Sequence, residues 1–146
     1  MKLDLDKLQR LELAAIGEKA IVESLRESLA DRRREVIDAR RVATLTIQNA
    51  RLPRELLNAG PRDAGSFVAK YESNPSAFES ALASVPNDAV TRSLRMLRDA
   101  IQRRDDAEHQ LATAEAKFLS INGTVVRLRD FASQVLPTAD AAHDQE

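Results

Sequence analysis

From about Asp4 to Leu52 the chain has no proline and one glycine, Gly17, and its apolar residues recur every seven positions. Steps of seven from Leu8 reach Ala15, Val22, Leu29, Val36, Ala43 and Ala50, all apolar. The companion column, Leu11, Glu18, Leu25, Arg32, Ala39 and Thr46, is apolar only in part. One sustained seam beside an interrupted one predicts a long coiled-coil arm with polar layers, over residues 1–52. Such a helix would run roughly 70 Å. A chain this small cannot wrap that length, so part of the arm is expected to project.

Pro53 ends the arm, and punctuation then becomes dense: Gly60-Pro61, Gly65, Asn74-Pro75 and Pro86. Between these marks, residues 53–86 predict a small helical head of three short pieces. Pro53 to Asn58 forms a turn closed by Gly60. Asp63 caps a helix through about Ser73, and Asn74 caps another with Pro75 at its first position. These pieces present Phe67, Val68 and Tyr71, then Phe78, Leu82 and Val85.

A second proline-free arm is predicted over residues 87–136, with Val90, Leu94, Leu97, Ile101, Leu111, Phe118 and Leu119 at helical spacing. Asn122-Gly123 marks an expected break or kink, after which Val125, Leu128, Phe131 and Val135 resume the stripe. Pro137 is expected to stop the helix, leaving 137–146 as a disordered acidic tail.

The two arms are expected to pair antiparallel, with facing residue numbers that add to about 139. In that register the charged run Asp31-Arg32-Arg33-Arg34-Glu35 falls beside Arg103-Arg104-Asp105-Asp106. Arg33 and Arg34 then meet Asp105 and Asp106 as a candidate polar layer that fixes register. The plainer alternative is that both runs are solvated flanks, since long arginines reach water from almost any position. Gly17 falls beside Asn122-Gly123, where missing side chains would admit close approach. The fold class is therefore all-α: a long antiparallel helical hairpin with a small helical insert at its tip. It is open to assembly into a multi-helix bundle.

Composition narrows the functional classes. Aromatics are only 3% of residues, low for a compact enzyme, and the formal net charge of −1 gives no global attraction to nucleic acid or anionic lipid. Cysteine is absent, which removes disulfides and thiolate metal ligands. The N-terminal residues lack a signal-peptide pattern, and no stretch approaches the ~20 apolar residues of a membrane span. A soluble, cytoplasmic protein without membrane attachment is the expectation.

Candidate chemistry is sparse. His109 follows Asp105 and Asp106 at helical spacing, but di-metal bundles need paired Glu-x-x-His motifs, and the only other histidine, His143, lies in the tail. No nucleophile elbow or glycine-rich phosphate loop occurs. No enzyme activity, metal or cofactor is expected. Arg26, Arg33 and Arg40 repeat every seven residues, a stripe able to follow a phosphate backbone, yet Glu23, Glu27, Glu35 and Asp38 interleave with them.

The first arm carries apolar residues beyond its seam: Leu3, Leu5, Leu13, Ile16, Ala20 and Ile21, then Val42, Leu45 and Ile47 near the tip. One facing helix cannot cover so broad a surface. The segment from Thr124 to Leu136 is one candidate cover; a second copy of the chain, giving a homo-oligomer, is the favoured one. The leading expectation is a non-enzymatic helical scaffold or interaction protein. Its arms would self-associate, and Phe67, Tyr71 and Phe78 of the head would contact an unidentified protein partner or else fill the head's own core. Alternatives are a stalk or assembly component of a phage particle or secretion machine, then a nucleic-acid-associated helical protein.

Overall fold

The structure, a computed structural model, describes the backbone of residues 4–144 and the side chains of residues 4–134. Four α-helices follow in order: α1 (Leu5–Ala50), α2 (Ala64–Ser73), α3 (Glu79–Ala83) and α4 (Ala89–Asp144). Turns of 3-10 helix at Arg54–Leu56 and Pro75–Phe78 join the short pieces, and no strand occurs among the described residues. Helix α1 packs against α4, the all-α hairpin that the heptads predict.

The caps explain where the elements begin. Asp63 accepts a hydrogen bond from the Ser66 backbone N–H at 3.0 Å and starts α2, and Asp88 does the same for Thr91 at 2.9 Å and starts α4. Asn74 makes no side-chain bond to the following backbone, and the segment it precedes divides into the Pro75–Phe78 turn and the five-residue α3. Helix α1 ends on Arg51, whose backbone is left-handed, with φ 60°, and whose N–H donates to the Ile47 carbonyl at 3.0 Å.

Two expected breaks do not occur. Helix α4 passes through Asn122-Gly123 without interruption, because Asn and Gly lower helix propensity by about 1 kcal/mol or less and a packed apolar face overrides that. It also continues beyond Pro137 to Asp144, although a proline within a helix forgoes one backbone hydrogen bond. The side chains of the tail after Pro137, expected to be disordered, lie outside the described residues.

The chain divides into two compact units, Ser28–Glu108 and Met1–Glu27 with His109–Glu146. Each long helix contributes a segment to both. In the first unit the heads of the heptads, Val36 and Ala43, join Leu94, Leu97, Ala100 and Ile101 from α4 in one core. The 53–86 insert lies on that core as a third layer, adding Leu56, Ala64, Phe67, Val68, Tyr71, Phe78, Leu82 and Val85. Cross-helix ion pairs Arg33–Glu108 and Arg103–Glu35 sit on the predicted register.

In the second unit only Leu8, Ala15 and Val125 form the buried cluster, with Leu11, Phe118, Ile121 and Leu128 half-covered against it. Here too the pairs Arg129–Glu12, Arg26–Glu115 and Lys117–Glu18 keep the register, their numbers adding to roughly 135 to 141. The expected close approach of glycines does not occur. A Cβ on Gly17 would meet nothing within 4 Å, and one on Gly123 only the tip of Arg127.

Candidate functional site

The three head aromatics are interior. Phe67 and Tyr71 are fully buried and Phe78 nearly so, with Phe78 meeting both other rings edge-on at centroid distances of 5.5 and 5.4 Å. A partner cannot touch them without opening the core, which corrects the expectation that they form a contact surface. The physical reason is size. An insert of about thirty residues with nearly three turns of α2 and little more than one of α3 cannot enclose three rings by itself, so the rings anchor it to α1 and α4.

Burial has left two hydroxyls without partners. The Tyr71 hydroxyl and the Thr91 hydroxyl are both enclosed and make no hydrogen bond to protein. Burial pushes the Tyr71 phenol up to about 12, with the nearby charges of Arg98, Asp99, Glu79 and Arg95 acting in both directions. A neutral phenol is thus locked into the core.

The proposed polar layer does not assemble as expected. Arg33, Arg34, Asp105 and Asp106 are all exposed. Arg33 reaches Glu108 at 3.8 Å, Arg34 folds back on Asp31 of its own helix, Asp105 pairs with Arg104 beside it, and Asp106 accepts from Gln102. Glu35 also bridges the helices. It binds Arg32 at 2.9 Å along α1 and Arg103 at 3.4 Å across to α4. The hydrogen bond from Arg32, with the charges of Arg32 and Arg103, holds its carboxyl below the usual carboxylate range. These residues sit at the solvated edge of the seam rather than inside it, because the seam positions here are Val36 and Ala107.

The heptad of arginines is neutralised position by position. Arg26 pairs with Glu115 at 4.0 Å, Arg33 with Glu108 at 3.8 Å, and Arg40 holds Glu72 of α2 with two bonds of 2.5 Å. A stripe that looks cationic in sequence is therefore an alternating chain of ion pairs. His109 is exposed, and Asp105 and Asp106 are committed to other partners. Among the described residues no three His, Cys, Asp or Glu side chains lie where they could hold one metal ion.

No protein-family model, curated protein or solved structure matches this chain. No helix is long and apolar enough to cross a membrane among the described residues.

The clearest unassigned surface belongs to the smaller-cored unit. Leu13, Ile16 and Leu119 are 69%, 66% and 65% exposed, and Leu5 and Val126 are also open. The ion pairs Arg129–Glu12 at 3.0 Å and Arg26–Glu115 place these residues on one flank. Ile16 lies four residues after Glu12, Leu119 four after Glu115, and Val126 three before Arg129, so each shares a helix face with a bridging residue. Leu13 adjoins Ile16 by the same rule. The sequence signalled Leu5, Leu13 and Ile16. Val126 escaped because no apolar residue beside it on α4 repeats at heptad spacing except Leu119.

Proposed function

We propose that this protein is a non-enzymatic helical interaction protein that self-associates through the apolar flank of the unit made by 1–27 and 109–146. The observation that carries the reading is the gathering of Leu13, Ile16, Leu119 and Val126 on one side of a two-helix unit that buries few residues of its own. Single exposed leucines are ordinary on a protein surface, but an apolar row along one flank marks an interaction site.

A second copy of the chain is the occupant that charge favours. The flank carries acids and bases together, Glu12, Glu23 and Glu115 beside Lys19, Arg26 and Arg129. Glu12 and Glu115 are already paired with Arg129 and Arg26 of the same chain, so two identical flanks can meet without setting unpaired like charges together. A polyanion or an anionic membrane would meet both signs and gain little. Burying the four apolar side chains against a copy supplies the hydrophobic contribution that α1 and α4 do not make for themselves.

Sedimentation equilibrium of the 16.2 kDa chain decides the matter. The wild-type protein at tens of micromolar is expected at twice its chain mass or more. Leu13→Glu with Leu119→Glu should return it to monomer with its helical signal retained. A wild-type protein that stays monomeric throughout that range removes the reading.

A further inference from the structure

At the end of α1 the chain forms a cleft of about 340 Å³, between the last turn of that helix and the start of α2. Its wall is apolar where Ile47, Leu52 and Leu57 line it, and two arginines, Arg51 and Arg62, are also part of its lining. Neither arginine has a carboxylate within ion-pair distance among the described residues.

Arg51 occupies the position where a helix usually ends on glycine, with φ 60°. A side chain in that conformation costs about 1–2 kcal/mol. The helix dipole favours a cation near the last turn of α1, which accounts for a positive charge there but not for a second one at Arg62. The lining also contains Asp63, but its carboxylate is already engaged by the backbone N–H and hydroxyl of Ser66, at 3.0 and 2.9 Å. Two arginines against one acid leave the cleft with a single net positive charge. That matches a monoanion better than a dianionic phosphate.

We propose that this cleft binds a small aliphatic monocarboxylate, with Arg51 and Arg62 gripping the carboxylate and Ile47, Leu52 and Leu57 covering the chain. Arginine suits that role because its planar fork matches the two carboxylate oxygens. The cavity is at the lower end of the roughly 300–1,000 Å³ typical of small-molecule sites, so the ligand is short. The site is separate from the self-association flank, and sedimentation mass measured on the same samples keeps the two readings distinguishable.

The test is a titration of the full chain with sodium hexanoate, followed through the backbone amide resonances of Arg51, Leu57 and Arg62. Acetate lacks the tail and 1-hexanol lacks the charge; each is expected to bind at least tenfold more weakly than hexanoate. Arg62→Gln should weaken hexanoate at least tenfold. Arg51→Gly, which removes the guanidinium while relieving the left-handed backbone, should do the same in a chain at least as stable as wild type. Equal responses to acetate and hexanoate, or hexanoate affinity within twofold of wild type in Arg62→Gln, would overturn the proposal.

Discussion

The two units use the same pair of helices and solve different packing problems. Between residues 28 and 108, sixteen described residues form one buried cluster, because the insert supplies a third layer over α1 and α4. In the other unit the cluster holds three, and Leu13, Ile16 and Leu119 stand in water at 65% exposure or more, above the Ile37, Val42, Leu45 and Met96 that the larger unit also leaves open. The seam is equally well kept in both, with Leu8, Ala15 and Val22 buried as Val36 and Ala43 are. A good seam is therefore not enough to finish a core. Two helices bury one stripe each, and whatever lies beyond the stripe needs another layer, which the insert provides in one place and a second copy would provide in the other.

The sharpest way to break this comparison is to cut into both cores. Phe67→Ala should cost about 3–5 kcal/mol, the usual result of removing an enclosed ring. Val125→Ala, in the smaller cluster, should cost only about 2 kcal/mol or less. Urea unfolding followed by the helical signal measures both. Equal losses would mean that the smaller unit is as tightly built as the larger one.

The larger core also carries a defect that is not found in the smaller among the described residues. The Tyr71 hydroxyl is enclosed without a partner, so Tyr71→Phe should raise stability by about 1 kcal/mol by removing an unsatisfied group. Tyr71 is the only tyrosine, which makes its ionisation directly visible in the ultraviolet. Its midpoint should lie near 12 in the folded protein, against about 10 in the unfolded chain. The folded value is the higher one, so this group leaves stability unaffected below pH 10. Stability then falls as pH rises from 10 toward 12, and Tyr71→Phe should abolish that part of the alkaline loss. A midpoint near 10 in native protein would show the ring to be solvated.

How much of this was legible in the sequence differs between the same two regions. The seam from Leu8 to Ala43 and the antiparallel register were readable, since heptad spacing and opposed charge runs report which helix faces meet. The depth of the larger core was not. Phe67, Tyr71 and Phe78 looked like contact residues because periodicity gives the side a residue occupies, not whether a third layer covers it. The column Ala100, Ala107 and Ala114 is buried yet passed unnoticed, because alanine is common on every face of this chain. Of Arg33, Arg34, Asp105 and Asp106 only Arg33 reaches across, to Glu108, while the other three bond along their own helices, because spacing along a sequence does not say which of several nearby charges a long side chain meets. The cleft beside Arg51 had no sequence signal at all, since a left-handed arginine looks like any other.

Glycines sharpen the contrast at smaller amplitude. Gly17 lies within α1 in the smaller unit with open space where a Cβ would stand, so Gly17→Ala should stabilise by about 0.5–1 kcal/mol. Gly60, within the insert, would place a Cβ 3.2 Å from the Phe67 ring, so Gly60→Ala should destabilise as that ring shifts. Opposite signs in thermal unfolding support the picture of one slack unit and one close-packed unit. Two stabilising substitutions would mean that the insert has room to spare.

The smallest expected effect concerns Glu35, the carboxylate that joins Arg32 on its own helix to Arg103 on the other. Both arginines lower its ionisation below the usual range near 4.5, so the folded value lies below the unfolded one. The sign follows from that order. Its contribution is present at any pH above the unfolded value and is lost as pH falls through the folded value. Glu35→Gln should therefore lower the urea midpoint slightly at pH 6, and the two proteins should converge as the solution is acidified through the lowered folded value. Because all three side chains are largely solvated, the difference should also shrink in 1 M salt, where screening acts within about 3 Å. A gap that persists in both acid and salt would place the group in a dry interior. In that case the helices of the larger unit would be held by a buried charge as well as by their alanine-rich seam.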